Sequence, residues 1–201
     1  MTIANEPIGA FLGRVASGET TPSAGPVAAV GGASGAALLE MVCIHTRETD
    51  GDPDVESAIT EVETELASLR GELLALADDD IVAVDRLQDA VADAGAATGT
   101  ERLDAIETAI EVPMNIAETS LAVLERAPLV LEAGSERAFA DGVTGAFMAD
   151  CAVRATLDIA RVNVGLAERE AFLAGTGRRI RDIEESRMVA FDAVRDHHEN
   201  T

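Results

Sequence analysis

Residues 24–39 read AGPVAAVGGASGAALL, sixteen uncharged residues, mostly Ala and Gly, with Gly31, Gly32 and Gly35 inside a stretch otherwise suited to a helix. An interior glycine costs a helix about 1 kcal/mol against alanine. A chain that keeps three of them has to recover that cost elsewhere. A membrane span needs about 20 predominantly apolar residues, but here Glu40 ends the run, bulky side chains are few, and no aromatic or basic anchor flanks it. A phosphate loop of the GxxxxGK[ST] kind needs a lysine, and the sequence has none. The dinucleotide fingerprint follows a strand, and none precedes these glycines. Close packing remains. Gly31 and Gly35 stand four apart, as do Gly32 and Ala36, and Ala28 extends the row, so a second helix or subunit can approach closely along this face. The loop before it, TTPSAG, places the N–H groups of a helix start where they can meet a ligand.

Helical spacing continues along the chain, which predicts an all-α fold. Ile8, Phe11, Leu12 and Val15 share one face of a short helix over 6–17, and Gly18 to Gly25 form a loop. The small-residue helix runs from about Pro26 to His45, and ETDGDPD (48–54) is an acidic turn. Val55, Ile59, Val62, Leu66, Leu69, Leu73 and Leu76 recur at three and four, the stripe of a long helix that continues to about residue 92. AGAATGT (93–99) breaks the chain before a helix over about 101–131, in which Pro113 removes a backbone donor and kinks or splits the helix; Gly134 ends it. A fifth helix covers about 136–173, with Gly142 and Gly145 as points of interruption, and GTG (175–177) separates a last helix over 178–197. The expectation is one domain, 1–201, a bundle of about five to six helices with a kink at Pro113. A chain of 201 residues can bury about 70% of its unfolded surface.

Acidic residues number 37 against 15 basic ones, a net charge of −22, and every basic residue is Arg. Charge of this size with few aromatics is a mark of disorder, but 47% apolar residues in helical register can build a core. Such a chain repels itself at low ionic strength and is at ease in molar salt, where the Debye length is about 3 Å. Loss of Lys with gain of Asp and Glu matches the bias of extreme halophiles. With no basic patch to neutralise phosphates, nucleic acid is disfavoured as a partner on electrostatic grounds; the cluster Arg178, Arg179 and Arg181 is expected to decorate a helix start. Cys43 and Cys151, without CxxC spacing or a nearby His, are expected as buried free thiols. No positively charged segment precedes an apolar one at the N-terminus, so no secretory signal and a cytoplasmic location are expected. His45, at a helix end, and His197–His198, in a polar tail, lack acidic or Cys partners at ligand spacing, so no metal site is expected.

Several motifs, in order, resemble the cyclodeaminase domain of formiminotransferase-cyclodeaminase and the related methenyltetrahydrofolate cyclohydrolases. They are FLGRVAS (11–17), TPSAG (21–25) with Pro26, AAVGGASGAALLEMVCIHT (28–46), DDDIVAV (78–84), Val112–Pro113, ADGVTGAF (140–147) and IARVN (159–163). The family's T-P-G-G-G-S is altered here, with Ser23, Ala24 and Pro26 in place of two glycines and a serine and only Gly25 kept. The G-K-K after M-V-C-x-x-T is lost, leaving Arg47 and Glu48 nearby.

The resemblance implies an all-helical homodimer that acts on one-carbon units bridging N5 and N10 of tetrahydrofolate, with the folate as substrate and no permanently bound cofactor. It implies a cyclohydrolase that adds water to 5,10-methenyltetrahydrofolate, favoured by a stand-alone chain; the alternatives are a cyclodeaminase releasing ammonia or a non-catalytic folate-binding relative. Asp80 and Asp141 are then the candidate carboxylates. Residues Pro22, Ser23, Ala24 and Gly25 form the pterin-facing loop, and Arg47 is a candidate for the tail carboxylates. Read from the residues alone, Asp80 is one of three solvated acids, Asp141 a helix-start cap, Arg47 a helix C-terminal charge, and Asn163 a ligand contact or an interhelical bond.

Overall fold

The apolar stripe that begins at Ile59 becomes one side of a 40-residue helix, on which Ile59, Val62, Leu66, Leu73, Leu76, Ala77 and Ala83 are buried. The structure is a computed structural model that describes residues 2–49, 53–92, 99–135 and 137–199. Six α-helices follow a short 3-10 turn: α1 (Ile8–Val15), α2 (Ala24–Thr49), α3 (Pro53–Ala92), α4 (Gly99–Ala133), α5 (Phe139–Val164) and α6 (Glu170–Glu199). Among the described residues there is no strand. Residues 50–52 of the acidic turn at 48–54 and 93–98 of the break at 93–99 lie outside the described residues.

Consecutive long helices run antiparallel. Arg70–Glu40 and Arg47–Glu63 pair α3 with α2, Arg126–Glu65 pairs α4 with α3, and Gly142 packs on Leu131 where α5 passes α4. Helices α2 to α5 form a four-helix bundle. α6 lies outside it against α4 and α5, held by Arg179 on Glu111 (2.6 Å) and Glu118 (2.9 Å), by Arg187 on buried Asp150 (2.6 Å), and by Phe147 against Phe191 (5.6 Å). Exposed ion pairs add about 0–1 kcal/mol each; here they also place Arg47, Arg70, Arg126, Arg161, Arg179 and Arg187 between helices of a strongly acidic chain.

Gly32, Gly35, Ala28, Ala29, Ala33 and Ala36 of α2 are buried, as close packing requires. A methyl group on Gly35 would lie 2.6 Å from the Gly145 carbonyl oxygen and 3.1 Å from the Ala149 backbone nitrogen. The α2–α5 crossing is therefore backbone on backbone, a distance that side chains would forbid. α2 is long and apolar enough to cross a membrane, with mean hydropathy 1.8, but half of that window is buried within the bundle.

The structure corrects several boundaries and placements. α2 starts at Ala24, not Pro26. α5 is uninterrupted at Gly142 and Gly145, whose missing side chains admit Leu131 and Leu39. It ends at Val164, and the GTG at 175–177 lies inside α6. The Arg178–Arg181 cluster therefore sits in mid-helix. α4 passes through both Pro113 and Pro128 without splitting. On α1 only Phe11 is buried, while Ile8 and Leu12 are exposed. Cys43 is buried, its thiol pushed up to about 12 by burial and the nearby Glu63 carboxylate, but Cys151 is exposed.

Candidate functional site

Asp78, Asp79 and Asp80 are successive residues of α3, so they point in directions about 100° apart. Asp79 is exposed, and Asp78 is half-buried and accepts the Ile3 N–H at 3.0 Å. Asp80 falls on the apolar stripe, three after Ala77 and seven after Leu73, and is 3% exposed. Burial pushes its carboxyl up to about 6, because desolvation disfavours the charged form.

The carboxyl lies against the first turn of α2. A methyl group at Gly25 would overlap Asp80 Cγ and both carboxyl oxygens. The first N–H groups of a helix have no intrahelical acceptor, Pro26 supplies none, and the positive end of the α2 dipole faces this spot. The loop that precedes α2 is tied to α3 by Thr21 Oγ1, which donates to Asp85 Oδ1 at 3.1 Å. Pro22 is buried, Ser23 half-buried and Ala24 exposed. A buried carboxyl that changes charge near neutrality, at the rim of a loop, can take up a proton and oppose a cation.

Antiparallel pairing of Glu72 with Thr119 and Glu65 with Arg126 places Asp80 level with residues 111–113 of α4. There Pro113 leaves the Ala109 carbonyl without its helical donor. Asn163 Nδ2 of α5 supplies the missing hydrogen bond, at 2.7 Å. Of its two readings, Asn163 makes the interhelical bond, at the same end of the bundle as Asp80.

Arg47 and Asp141 stand at the other end. Arg47, in the last turn of α2, pairs with Glu63 at 3.3 Å; along the helix it is about 33 Å from Gly25 at 1.5 Å per residue. Asp141 is exposed in the first turn of α5, where a negative charge suits the helix dipole. Its neighbour Gly142 faces Val42 at 3.7 Å, about 25 Å along α2 from Gly25. Within one chain, then, Pro22, Ser23, Ala24, Gly25, Asp80 and Asn163 share an end and Arg47 and Asp141 do not. Sequence reasoning missed Thr21 and Asp85, an exposed pair with no pattern to mark it. It also missed the partnership of Asn163 with Pro113, signalled only by the carbonyl that a mid-helix proline orphans.

The family model for formiminotransferase-cyclodeaminase matches residues 7–182. The chain belongs to that family. A methenyltetrahydrofolate cyclohydrolase of Methylorubrum extorquens is 31% identical over 172 residues, covering 82% of this chain and 83% of the relative. The crystal structure of formiminotetrahydrofolate cyclodeaminase from Thermotoga maritima superposes with a TM-score of 0.93 over 98% of each chain at 22% identity, a likeness of fold. The matched region of this formiminotransferase-cyclodeaminase family member spans the loop, Asp80, Pro113 and Asn163.

Proposed function

We propose that this protein is a methenyltetrahydrofolate cyclohydrolase with Asp80 as its general base. The observation that carries the proposal is the buried Asp80 carboxyl seated at the start of α2; the cyclohydrolase relative names the substrate. The 5,10-methenyl carbon lies between two nitrogens in a cationic amidinium and is already electrophilic, so the reaction as written needs no resident cofactor. The ionised Asp80 carboxylate opposes that positive charge and takes a proton from water as its oxygen bonds to the methenyl carbon. The carbon–N5 bond then breaks, N5 takes a proton, and the carbinol oxygen loses its own to become the formyl carbonyl. The products are 10-formyltetrahydrofolate and one proton released to solvent.

The base works only when ionised. Activity should therefore rise with pH, with kcat/KM half-maximal near about 6, the value to which burial moves Asp80, and level off above it. The test follows the absorbance of 5,10-methenyltetrahydrofolate in about 2–3 M salt, where charge screening is nearly complete. No acceleration over spontaneous hydrolysis would sink the proposal. Ammonia released from 5-formiminotetrahydrofolate, with no hydrolysis of the methenyl substrate, would make the enzyme a cyclodeaminase.

The working form we propose is a cytoplasmic homodimer joined through α2 and α5. Val27, Gly31, Met148, Cys151 and Ala155 line an apolar groove of ≈ 360 Å³ that starts at Ala24, beside the site. No other helix comes within 4 Å of where a Cβ on Gly31 would stand, so its helix-propensity cost has no return inside the monomer. Two cysteines left as free thiols, Cys43 and Cys151, suit a reducing compartment. Sedimentation should give the mass of two chains, and Gly31→Glu should give folded monomers. A Gly31→Glu dimer would rule this face out.

A further inference from the structure

Gly25 belongs, by sequence pattern, with the residues that meet the substrate, yet it is buried while its neighbour Ala24 is exposed. Its φ is not positive, so the backbone does not call for glycine there. Helix propensity in the first turns of α2 favours alanine. What excludes a side chain is space, because a Cβ would coincide with the carboxyl group of Asp80. Two residues 55 positions apart thus share one volume, and the carboxyl occupies it. Ser23 and Ala24, just before it, keep side chains because they face outward or lie only partly covered.

Resting on the reading of Asp80 as the base, we propose that Gly25 is a positioning residue: its missing side chain is the seat that holds the Asp80 carboxyl against the first turn of α2. Any larger residue drives the carboxyl toward solvent or lifts the α2 start away from it. In either case the carboxyl loses its place against the first turn of α2.

The test compares Gly25→Ala with the unsubstituted protein in kcat, KM and pH profile. It adds thermal melting of Gly25→Ala, Asp80→Ala and the double variant. Gly25→Ala should lower kcat about 100-fold, the lower end of what a placed base contributes, with little change in KM. Its acid limb should move down toward the ordinary carboxylate range, by about one pH unit or more. Gly25→Ala should lower the melting temperature when Asp80 is present, but not in the Asp80→Ala background, where the volume is vacated. Unchanged kcat and acid limb in a folded Gly25→Ala protein overturn the proposal, as does an equal thermal cost in both backgrounds. Full activity of Asp80→Asn would remove the reading of Asp80 itself, and the melting comparison would still decide whether Gly25 seats that carboxyl.

Discussion

Asp80→Asn is expected to make the protein more stable at pH 7 while removing its turnover. The folded-state carboxyl is raised from an ordinary 3.8 to about 6, so the native fold prefers the protonated group. That preference is fully present below about pH 4, is lost as pH rises through about 6, and leaves a charge whose burial costs about 3 kcal/mol at neutrality. Asparagine is close in shape and carries no charge. The variant should melt roughly 6–12 °C higher at pH 7, taking 2–4 °C per kcal/mol for a chain of this size, and at the same temperature as its parent near pH 3.5. Turnover should fall about 10²–10⁴-fold. A variant that melts no higher at pH 7 would show that the buried carboxylate carries no such penalty. A site held at a cost to the fold, and relaxed when its chemistry is removed, is the expected stability–activity trade-off.

The second large effect concerns the α2–α5 crossing. Gly35→Ala should destabilise by about 2 kcal/mol, overpacking at the upper end of about 1–3 kcal/mol set against about 1 kcal/mol of propensity gain from alanine. The atoms in the way, the Gly145 carbonyl at 2.6 Å and the Ala149 nitrogen at 3.1 Å, are backbone, so no rotamer change relieves them and two helices have to part. Gly71→Ala is the control. It lies on an exposed face of α3 with nothing within 4 Å of a new Cβ, and should stabilise by about 1 kcal/mol. Denaturant unfolding reads both. A Gly35→Ala protein as stable as its parent would mean that the helices slide apart freely.

The helical fold and the packing role of the glycines were legible because both follow from spacing. Asp80 reached the site through the family resemblance; from the residues alone it stands among three solvated acids, although its 3% exposure follows from a spacing that was there to be read. The stripe Leu66, Leu69, Leu73 and Leu76 projects onto position 80, so an acid there replaces an apolar residue in the core register; Asp79, one step round, faces water. Motif order carried Arg47 and Asp141 to the site by name, but order along a chain does not say at which end of an antiparallel bundle a residue emerges. The α5–α6 boundary was misplaced because glycine is a weak breaker inside a well-packed helix. Gly175 and Gly177 stay helical around buried Thr176, whereas the real turn closes with bonds from Gly165, Leu166 and Ala167 to Val162, Asn163 and Val164. Three successive i→i−3 bonds end a helix without any proline to announce it.

The hydrogen bond from Asn163 to the Ala109 carbonyl also bears on assembly. Pro113 makes the middle of α4 unable to complete its own ladder, so a bond that is ordinarily local becomes one that spans 54 residues. α4 by itself carries an open acceptor in what will be the interior, and an unmet buried carbonyl costs about 1–3 kcal/mol. The helix is therefore finished only when α5 arrives, and arrives in register. The proline gives up local autonomy at that turn, and the alignment of α5 is checked at the end of the bundle that holds the buried carboxyl.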